Sequence, residues 1–544
     1  MARGAMKQSL QRWVVLGPAI VLLNKSVTFY NVWPTLAVNW YGALSLELAV
    51  CLLILAAVGV YWHPSRNSLR CMAIVWVLMI IGRFADVTAP SLYGREINLY
   101  WDLRHLSSVA GMLAAAAPKR AVLEAAAAAL VVLITLYAVV RWAVGRIGKS
   151  LEHSLDRRIL GILTTLAILV WAAQKLELIP KGTRGFAPTV SGAYLRQARL
   201  LLEPLVFRRN LTVKGPQPIE SDLAHIRGAD VFLVFIESYG AVSYERADIA
   251  EGLSASRSRF QSDIQAAGFN VVSAYVDSPT FGGGSWLAHV SVLSGVEVRD
   301  EDMNVMVMGQ KRDTFVTPFT RQGYRPVAIM PGLRQSWPEG AFYGFDEIYG
   351  AAQLDYQGPP FGWWIIPDQF ALARLDALDA ARTPSSPPLF VFFPTVSSHT
   401  PFGPTPPYQP DWPRMLTKDP YDAGDLEKAL ALDPALLDLG PSYIRALSYA
   451  YDSIAGYLKR HLGRDSVYIL VGDHQPPAAV SGVGAVWHVP VHVLTTRSQV
   501  IAPLLGAGFN SGMRPEGAPL GPMNKLLPIL LRAFGDQSSE SLKE

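Results

Sequence analysis

A carboxylate beside an imidazole, Asp473-His474, closes the apolar run 467–471 in the phrase Val471-Gly472-Asp473-His474. Oxygen and nitrogen ligands side by side at the carboxyl end of a strand suit a divalent metal ion. Far upstream, Asp230-Val-Phe-Leu-Val-Phe-Ile-Glu237-Ser238 repeats the pattern, a buried-strand run that ends in a carboxylate. The two strand ends are expected to face one site. A nucleophile is offered by Ser278-Pro-Thr-Phe-Gly-Gly-Gly-Ser285-Trp-Leu-Ala-His289. Its three glycines let backbone approach a substrate closely. The helical pattern over 286–293 puts Ser285 at a helix N-terminus, where unpaired N–H groups and the positive dipole end favour a phosphate and a serine alkoxide. The same serine would also serve as an ordinary helix cap, and Thr280 is a rival hydroxyl. In Phe393-Pro-Thr-Val-Ser-Ser-His399-Thr-Pro-Phe402 a strand is followed by a histidine in a proline-rich turn, which would face the same crevice.

These groups need strands to carry them. Apolar, β-branched runs occur at 231–236, 270–276, 325–329, 389–393, 467–471 and 489–494, with helical patterns at 254–267, 368–382, 442–461 and 524–534. Strands separated by helices argue for a mainly parallel sheet covered on both faces. Ligands in such sheets sit at the carboxyl ends of strands, where Glu237, Asp473 and His474 all fall.

The rest of the chain has a different composition. Of 544 residues, 50% are hydrophobic, and most of the apolar excess lies before residue 175. Segments 43–62, 71–81 with its extension, 121–144 and 159–173 approach the length needed to cross about 30 Å of hydrocarbon. A first segment, 13–23, would have to continue to Trp33 with Lys25 snorkelling or facing protein, which makes five spans. Arg3, Lys7 and Arg12 precede the first, Arg66 and Arg70 separate the second from the third, and Arg146, Lys149, Arg157 and Arg158 separate the fourth from the fifth. By the positive-inside rule these segments are cytoplasmic, and everything after about residue 175 is outside. Arg95 and Arg104 in an outer loop are matched by Glu96 and Asp102, while Lys175, Lys181 and Arg184 after the last span run against this orientation unless they meet lipid phosphates at the outer face. Residues 176–229, with Arg196, Arg199, Arg208 and Arg209 and a helical stretch over 194–207, read as a linker along the membrane surface. The expected domains are thus 1–175, transmembrane; 176–229, linker; and 230–538, catalytic. The two cysteines, Cys51 and Cys71, both fall in expected spans, so the large domain has no disulfide. A net charge of +4 with no basic stripe interleaved with aromatics gives no case for nucleic acid.

In order, Glu237 at a strand end, Gly-Gly-Ser285 at a helix start, Ser-Ser-His399-Thr-Pro-Phe and Gly-Asp473-His474-Gln-Pro resemble the sulfatase-like branch of the alkaline phosphatase superfamily. With five preceding spans the chain is most similar to its membrane-bound lipoteichoic acid synthases, phosphoglycerol transferases and phosphoethanolamine transferases. The resemblance implies a helical transmembrane bundle followed by an α/β alkaline-phosphatase-like domain on the outer face of a bacterial inner membrane. It also implies one or more divalent ions, manganese, zinc or magnesium, held by Glu237, Ser285, Asp473 and His474. His399 would contact the substrate phosphate or the departing group, and Arg334 and Trp337 lie where the family places headgroup contacts. The implied reaction moves phosphoglycerol from a phospholipid donor to a glycan or glycolipid acceptor through a covalent serine intermediate. Phosphoethanolamine transfer to lipid A or another envelope glycan is the alternative, and a catalytically lapsed membrane sensor or scaffold a third. The chain departs from the family in having Ser285 where Thr is usual. Ser285-Trp-Leu-Ala-His289 also lacks the Pro and Arg of the sulfatase signature, which argues against sulfate-ester hydrolysis, and the missing disulfides lean away from phosphoethanolamine.

Overall fold

The computed structural model describes residues 2–536 except 32–36, 41, 62–63, 94–95, 101, 104–118, 180–184, 207–212, 214, 216, 336, 363–364, 384, 433–437 and 483. Trp33, Arg95, Arg104, Lys181, Arg184, Arg208 and Arg209, singled out above, lie outside the described residues. The chain divides into two compact units, Met1–Ser91 with Arg95–Arg209, and Leu92–Gly94 with Asn210–Glu544.

In the first unit, helices α1 (Ala2–Val27), α2 (Leu46–Val58), α3 (Arg66–Tyr93), α4 (Lys119–Leu151) and α5 (Ser154–Lys175) occupy the five apolar regions, and α6 (Val190–Val206) follows. Two of them, α3 over Arg66–Pro90 and α4 over Val122–Leu151, are long and apolar enough to cross a membrane; α2 is apolar but shorter. Helix α1 departs from expectation: it starts at Ala2 and ends at Val27 instead of running on to Trp33. Asn24 explains the stop. Its side chain donates to Ala43 O and accepts from Ser45 N, both at 2.8 Å, tying the helix end to the chain entering α2. Beyond it, β1 (Phe29–Asn31) pairs antiparallel with β2 (Val38–Trp40). The basic segments gather at one end of this unit. Arg12 of α1 bonds Asp156 of α5 at 3.0 Å, Arg157 donates to Gly59 O just after α2, and Leu69 of α3 lies against Gly148 of α4.

The second unit is built on eight strands: β3 (Asp230–Ile236), β4 (Asn270–Asp277), β5 (Arg325–Ile329), β6 (Glu347–Tyr349), β7 (Leu389–Pro394), β8 (Ser466–Gly472), β9 (His488–Thr495) and β10 (Asn510–Ser511). Their order is β10-β4-β9-β8-β3-β7-β5-β6. The block from β8 to β6 is parallel, but β9 is antiparallel to both β8 and β4, and β10 to β4, so the sheet is mixed. The main covering helices are α7 (Ser254–Ala266), α8 (Ser285–Ser294), α9 (Asp368–Leu378), α10 (Gly440–Arg460) and α11 (Leu526–Phe534).

Strand β3 shows why the sheet is buried on both faces. Every residue in it is buried, and successive side chains point to opposite sides. Val231, Leu233 and Phe235 share a core with Leu287 and Leu293 of α8 and Leu530 of α11. Phe232, Val234 and Ile236 share the other with Phe260 of α7, Phe370 of α9 and Leu447 of α10. Each such side chain contributes about 1.5–3 kcal/mol by leaving water. Register then places the chemistry. Ile236 pairs with Gly472, so Glu237 and Asp473 leave the sheet side by side on strands about 4.8 Å apart.

Candidate active site

Glu237, Asp473 and His474 are all buried, and each offers a ligand atom within 4.8 Å of the others. His474 Nδ1 donates to Gln475 O at 2.7 Å, which leaves Nε2 facing the carboxylates, 3.4 Å from Glu237 Oε1 and 3.6 Å from Asp473 Oδ2. Ser285 completes the group. Its Oγ donates to Glu237 Oε2 at 2.9 Å and lies 3.2 Å from His474 Nε2. The structure thus brings together the four residues that the strand ends and the glycine segment pointed to.

The local backbone is shaped for this. Gly282, Gly283 and Gly284 all have positive φ, a conformation L side chains rarely adopt, and Gly284 caps α8 so that Ser285 is the first helical residue. Thr280 is placed differently. It is buried, and its Oγ1 donates to Gly283 O at 2.5 Å, closing the glycine loop. On the opposite side Ser238 is held at φ 58 without being glycine, a strained state. Three bonds hold it there: Ser238 N donates to Asp473 Oδ1 at 2.7 Å, its Oγ to Glu237 Oε1 at 3.1 Å, and Tyr443 OH to Ser238 O at 3.0 Å.

Burial alone would raise the Glu237 carboxyl, but His399 and His474 overcome it and hold the group well below the usual carboxylate range. Asp473 goes the other way, pushed well up by burial and by the neighbouring Glu237 charge. Burial opposes charge on His474, yet Asp473 and Glu237 raise it to about 9. Two carboxylates and an imidazole in one buried pocket therefore compete for protons, an arrangement that positive charge relieves.

His399 is half-buried in the turn after β7, with Nδ1 bonded to Thr400 O at 2.7 Å. It lines a small cavity of about 30 Å³ with Phe361, Ser397 and Pro401. The preceding residue, Ser398, ties this turn to Glu237 through its hydroxyl. Arg334 is exposed in the loop after β5. Trp337 is packed against Tyr343, ring centroids 5.4 Å apart, and against Gly340.

Several supporting residues carry no sequence signal. Thr395 Oγ1 accepts from Glu237 N at 3.0 Å, Ser398 Oγ donates to Glu237 O at 2.7 Å, and Ser278 Oγ donates to Asp473 O at 2.5 Å. Asp368, fully buried at the start of α9, accepts from Val396 N at 2.7 Å and Ser397 N at 3.0 Å and so fixes the turn that carries His399. Burial raises its carboxyl to about 6. His289, one turn beyond Ser285, stands edge-on to Phe235 and Phe392 with Nε2 buried and without a hydrogen-bond partner among the described residues, and burial lowers it to about 3. His488 and Asp277 pair at 3.3 Å where β9 meets β4. The antiparallel direction of β9 is what brings its first residue to this side.

No family model matches the sequence, and no curated protein matches it. Among solved structures, the chain is similar to the integral membrane lipooligosaccharide phosphoethanolamine transferase A, EptA, of Neisseria meningitidis, at 12% identity and TM-score 0.47 over 90% of this chain and 87% of that one. It is similar to the phosphoglycerol transferase GacH of Streptococcus pyogenes at 13% identity and TM-score 0.34, over 59% and 94%. The lipoteichoic acid synthase LtaP of Listeria monocytogenes aligns at 11% identity and TM-score 0.38, over 61% and 77%. The likeness extends to other alkaline phosphatase and sulfatase-like proteins, and at these identities and scores it assigns no activity by itself.

Proposed function

We propose that the chain is a metal-dependent phosphotransferase of the cell envelope. It moves phosphoglycerol from a membrane phospholipid to a glycan or glycolipid acceptor through a covalent intermediate on Ser285. The observation that carries this is the position of Ser285 Oγ at the first residue of a helix, 2.9 Å from Glu237 and 3.2 Å from His474. The donor set fits a divalent cation: two carboxylates, an imidazole aimed by its second nitrogen and a hydroxyl, with two buried like charges that are costly unless neutralised. Glu237, Asp473, His474 and Ser285 would hold manganese, zinc or magnesium, which when bound lowers the pKa of the hydroxyl and polarises the phosphoryl oxygen.

The chain's own groups do the rest. Ser285 Oγ, its proton released to water because a bound cation would lower the hydroxyl's pKa, forms the bond to phosphorus as the bond to the diacylglycerol oxygen breaks, and the departing oxygen takes up a proton from His399 or water. Backbone N–H groups at the start of α8 face the phosphate. His399 steadies the phosphate or protonates the leaving oxygen, with Arg334 and Trp337 at the headgroup. An acceptor hydroxyl then attacks the same phosphorus and releases Ser285. The division into a membrane part, 1–175, a surface linker, 176–229, and a catalytic part, 230–538, outside the inner membrane belongs to the same proposal. It keeps a lipid donor within reach.

The test is intact-mass analysis of the full-length, manganese-loaded protein after incubation with vesicles of phosphatidylglycerol and phosphatidylethanolamine. A phosphoglycerol adduct on Ser285 is expected, absent in Ser285→Ala, kept in good part in Thr280→Ala and partly restored in Ser285→Thr. A phosphoethanolamine adduct would change the headgroup, and an adduct that survives Ser285→Ala would overturn the mechanism.

A further inference from the structure

A cavity of about 590 Å³ opens where α1 meets the turn between α4 and α5. Arg12, Arg146, Lys149 and His153 surround it, and Val15 and Leu16 form an apolar wall. We propose that it binds the headgroup of an anionic phospholipid in the leaflet at this end of the helical unit. The inference rests on the reading of this unit as membrane-embedded and is independent of the chemistry at Ser285.

A buried carboxylate sets the geometry. Asp156 is fully buried and accepts from Arg12 Nε at 3.0 Å, Trp13 Nε1 at 3.1 Å and Ser150 Oγ at 3.1 Å. Arg12 is therefore held by one nitrogen, while its two terminal nitrogens have no hydrogen-bond partner among the described residues. A guanidinium fixed in this way is pre-organised for the paired oxygens of a phosphate. Asp156 balances Arg12, and the lining includes one further carboxylate, Glu152, against Arg146 and Lys149. A net positive charge remains. A merely solvated basic face would have neither a cavity nor an arginine anchored from beneath.

The apolar wall selects a lipid over a soluble anion. Val15 and Leu16 line the cavity, and the exposed Val14 and Val21 continue an apolar surface along α1. A phosphate diester among the cations with acyl chains along α1 satisfies both surfaces, as basic pockets between helices do for anionic headgroups.

The full chain in nanodiscs of equal parts phosphatidylglycerol and phosphatidylcholine, released and weighed by native mass spectrometry, tests this. The wild type is expected to retain phosphatidylglycerol in preference to phosphatidylcholine. Arg146→Gln with Lys149→Gln should reduce that retention roughly fivefold for each charge removed. Arg158→Gln, at an exposed basic residue of α5 outside the cavity, should leave it unchanged. An equal loss in Arg158→Gln would reduce the effect to general surface charge and overturn the site. Displacement of the lipid by inorganic phosphate alone would make it a soluble-anion site and overturn the lipid assignment. Failure of the wild type to enter the bilayer would sink the membrane reading and this inference with it, whereas entry without selective retention would sink the inference alone.

Discussion

Asp473 receives two backbone donors on one oxygen, Ser238 N at 2.7 Å and His474 N at 2.6 Å, while its other oxygen faces His474 Nε2. Asp473→Ala should abolish bound metal and transfer together. The domain should stay folded, because losing these bonds, at about 1–3 kcal/mol for the orphaned donors, is partly offset by relief of the charge opposing Glu237. Full metal content in that variant, read by elemental analysis, would show that the cluster is no metal site. His474 gives the pH dependence. Its value in the folded protein is raised above the ordinary 6.5 to about 9. The stability it contributes without an ion is therefore fully present below pH 6.5 and lost as pH rises through about 9. A cation needs the neutral imidazole, so metal affinity should climb about tenfold per pH unit between these limits. Calorimetry in buffers of different ionisation enthalpy should record proton release on binding; affinity flat across pH 6.5–9 would contradict it.

At the scale of elements, the glycine of Gly-Asp-His has a specific task. A Cβ on Gly472 would run into the carbonyl oxygen of Tyr239, in the turn that follows Glu237. Gly472→Ala should force the ends of β3 and β8 apart, weaken metal binding more than tenfold and cost about 1–3 kcal/mol of stability by overpacking. Thermal unfolding and metal titration of one preparation check both, and an unchanged metal affinity would deny that the close approach positions the ligands. The candidate ligands were legible in the sequence because each follows an unbroken apolar run: Glu237 after β3, Asp473 and His474 after β8. The six strands seen as runs are all present, whereas β6 and β10 are short edge strands without such a run. The antiparallel direction of β9 was not legible, since a run fully buried on both faces reads the same either way, and with it went the pair His488 and Asp277. Helix α9 stops at Leu378 instead of reaching Arg382, whose guanidinium is drawn to Asp230 at 2.7 and 2.9 Å. Asp368 escaped notice because its task, accepting two backbone N–H groups far along the chain, leaves no local pattern.

At the scale of the whole molecule, the first unit's own geometry bears on which way the chain leaves it. Helix α5 begins at the basic end, where Asp156 meets Arg12 and Arg157 meets Gly59 O. Its 22 residues span about 33 Å, so Lys175 emerges at the opposite end. Among the described residues, only α3 and α4 are long and apolar enough by themselves to cross a membrane; α1, α2 and α5 carry more charge or are shorter and would depend on neighbours to shield their polar groups. Asp156 shows such shielding: fully buried, it accepts from Arg12 Nε, Trp13 Nε1 and Ser150 Oγ. If the basic end is cytoplasmic, the chain beyond α5 starts on the far side, where outer-leaflet lipids are the available donors. A reporter active only outside the cytoplasm, fused after Glu544, should then be active in cells, and a cytoplasm-only reporter at the same position should be silent. Reversing the charge bias by removing Arg66, Arg70, Arg146 and Lys149 together should lower the first signal and raise the second. The opposite pattern for the unaltered chain, at normal expression, would require an even number of crossings or the inverse orientation, and would place Ser285 beyond the reach of outer-leaflet donors.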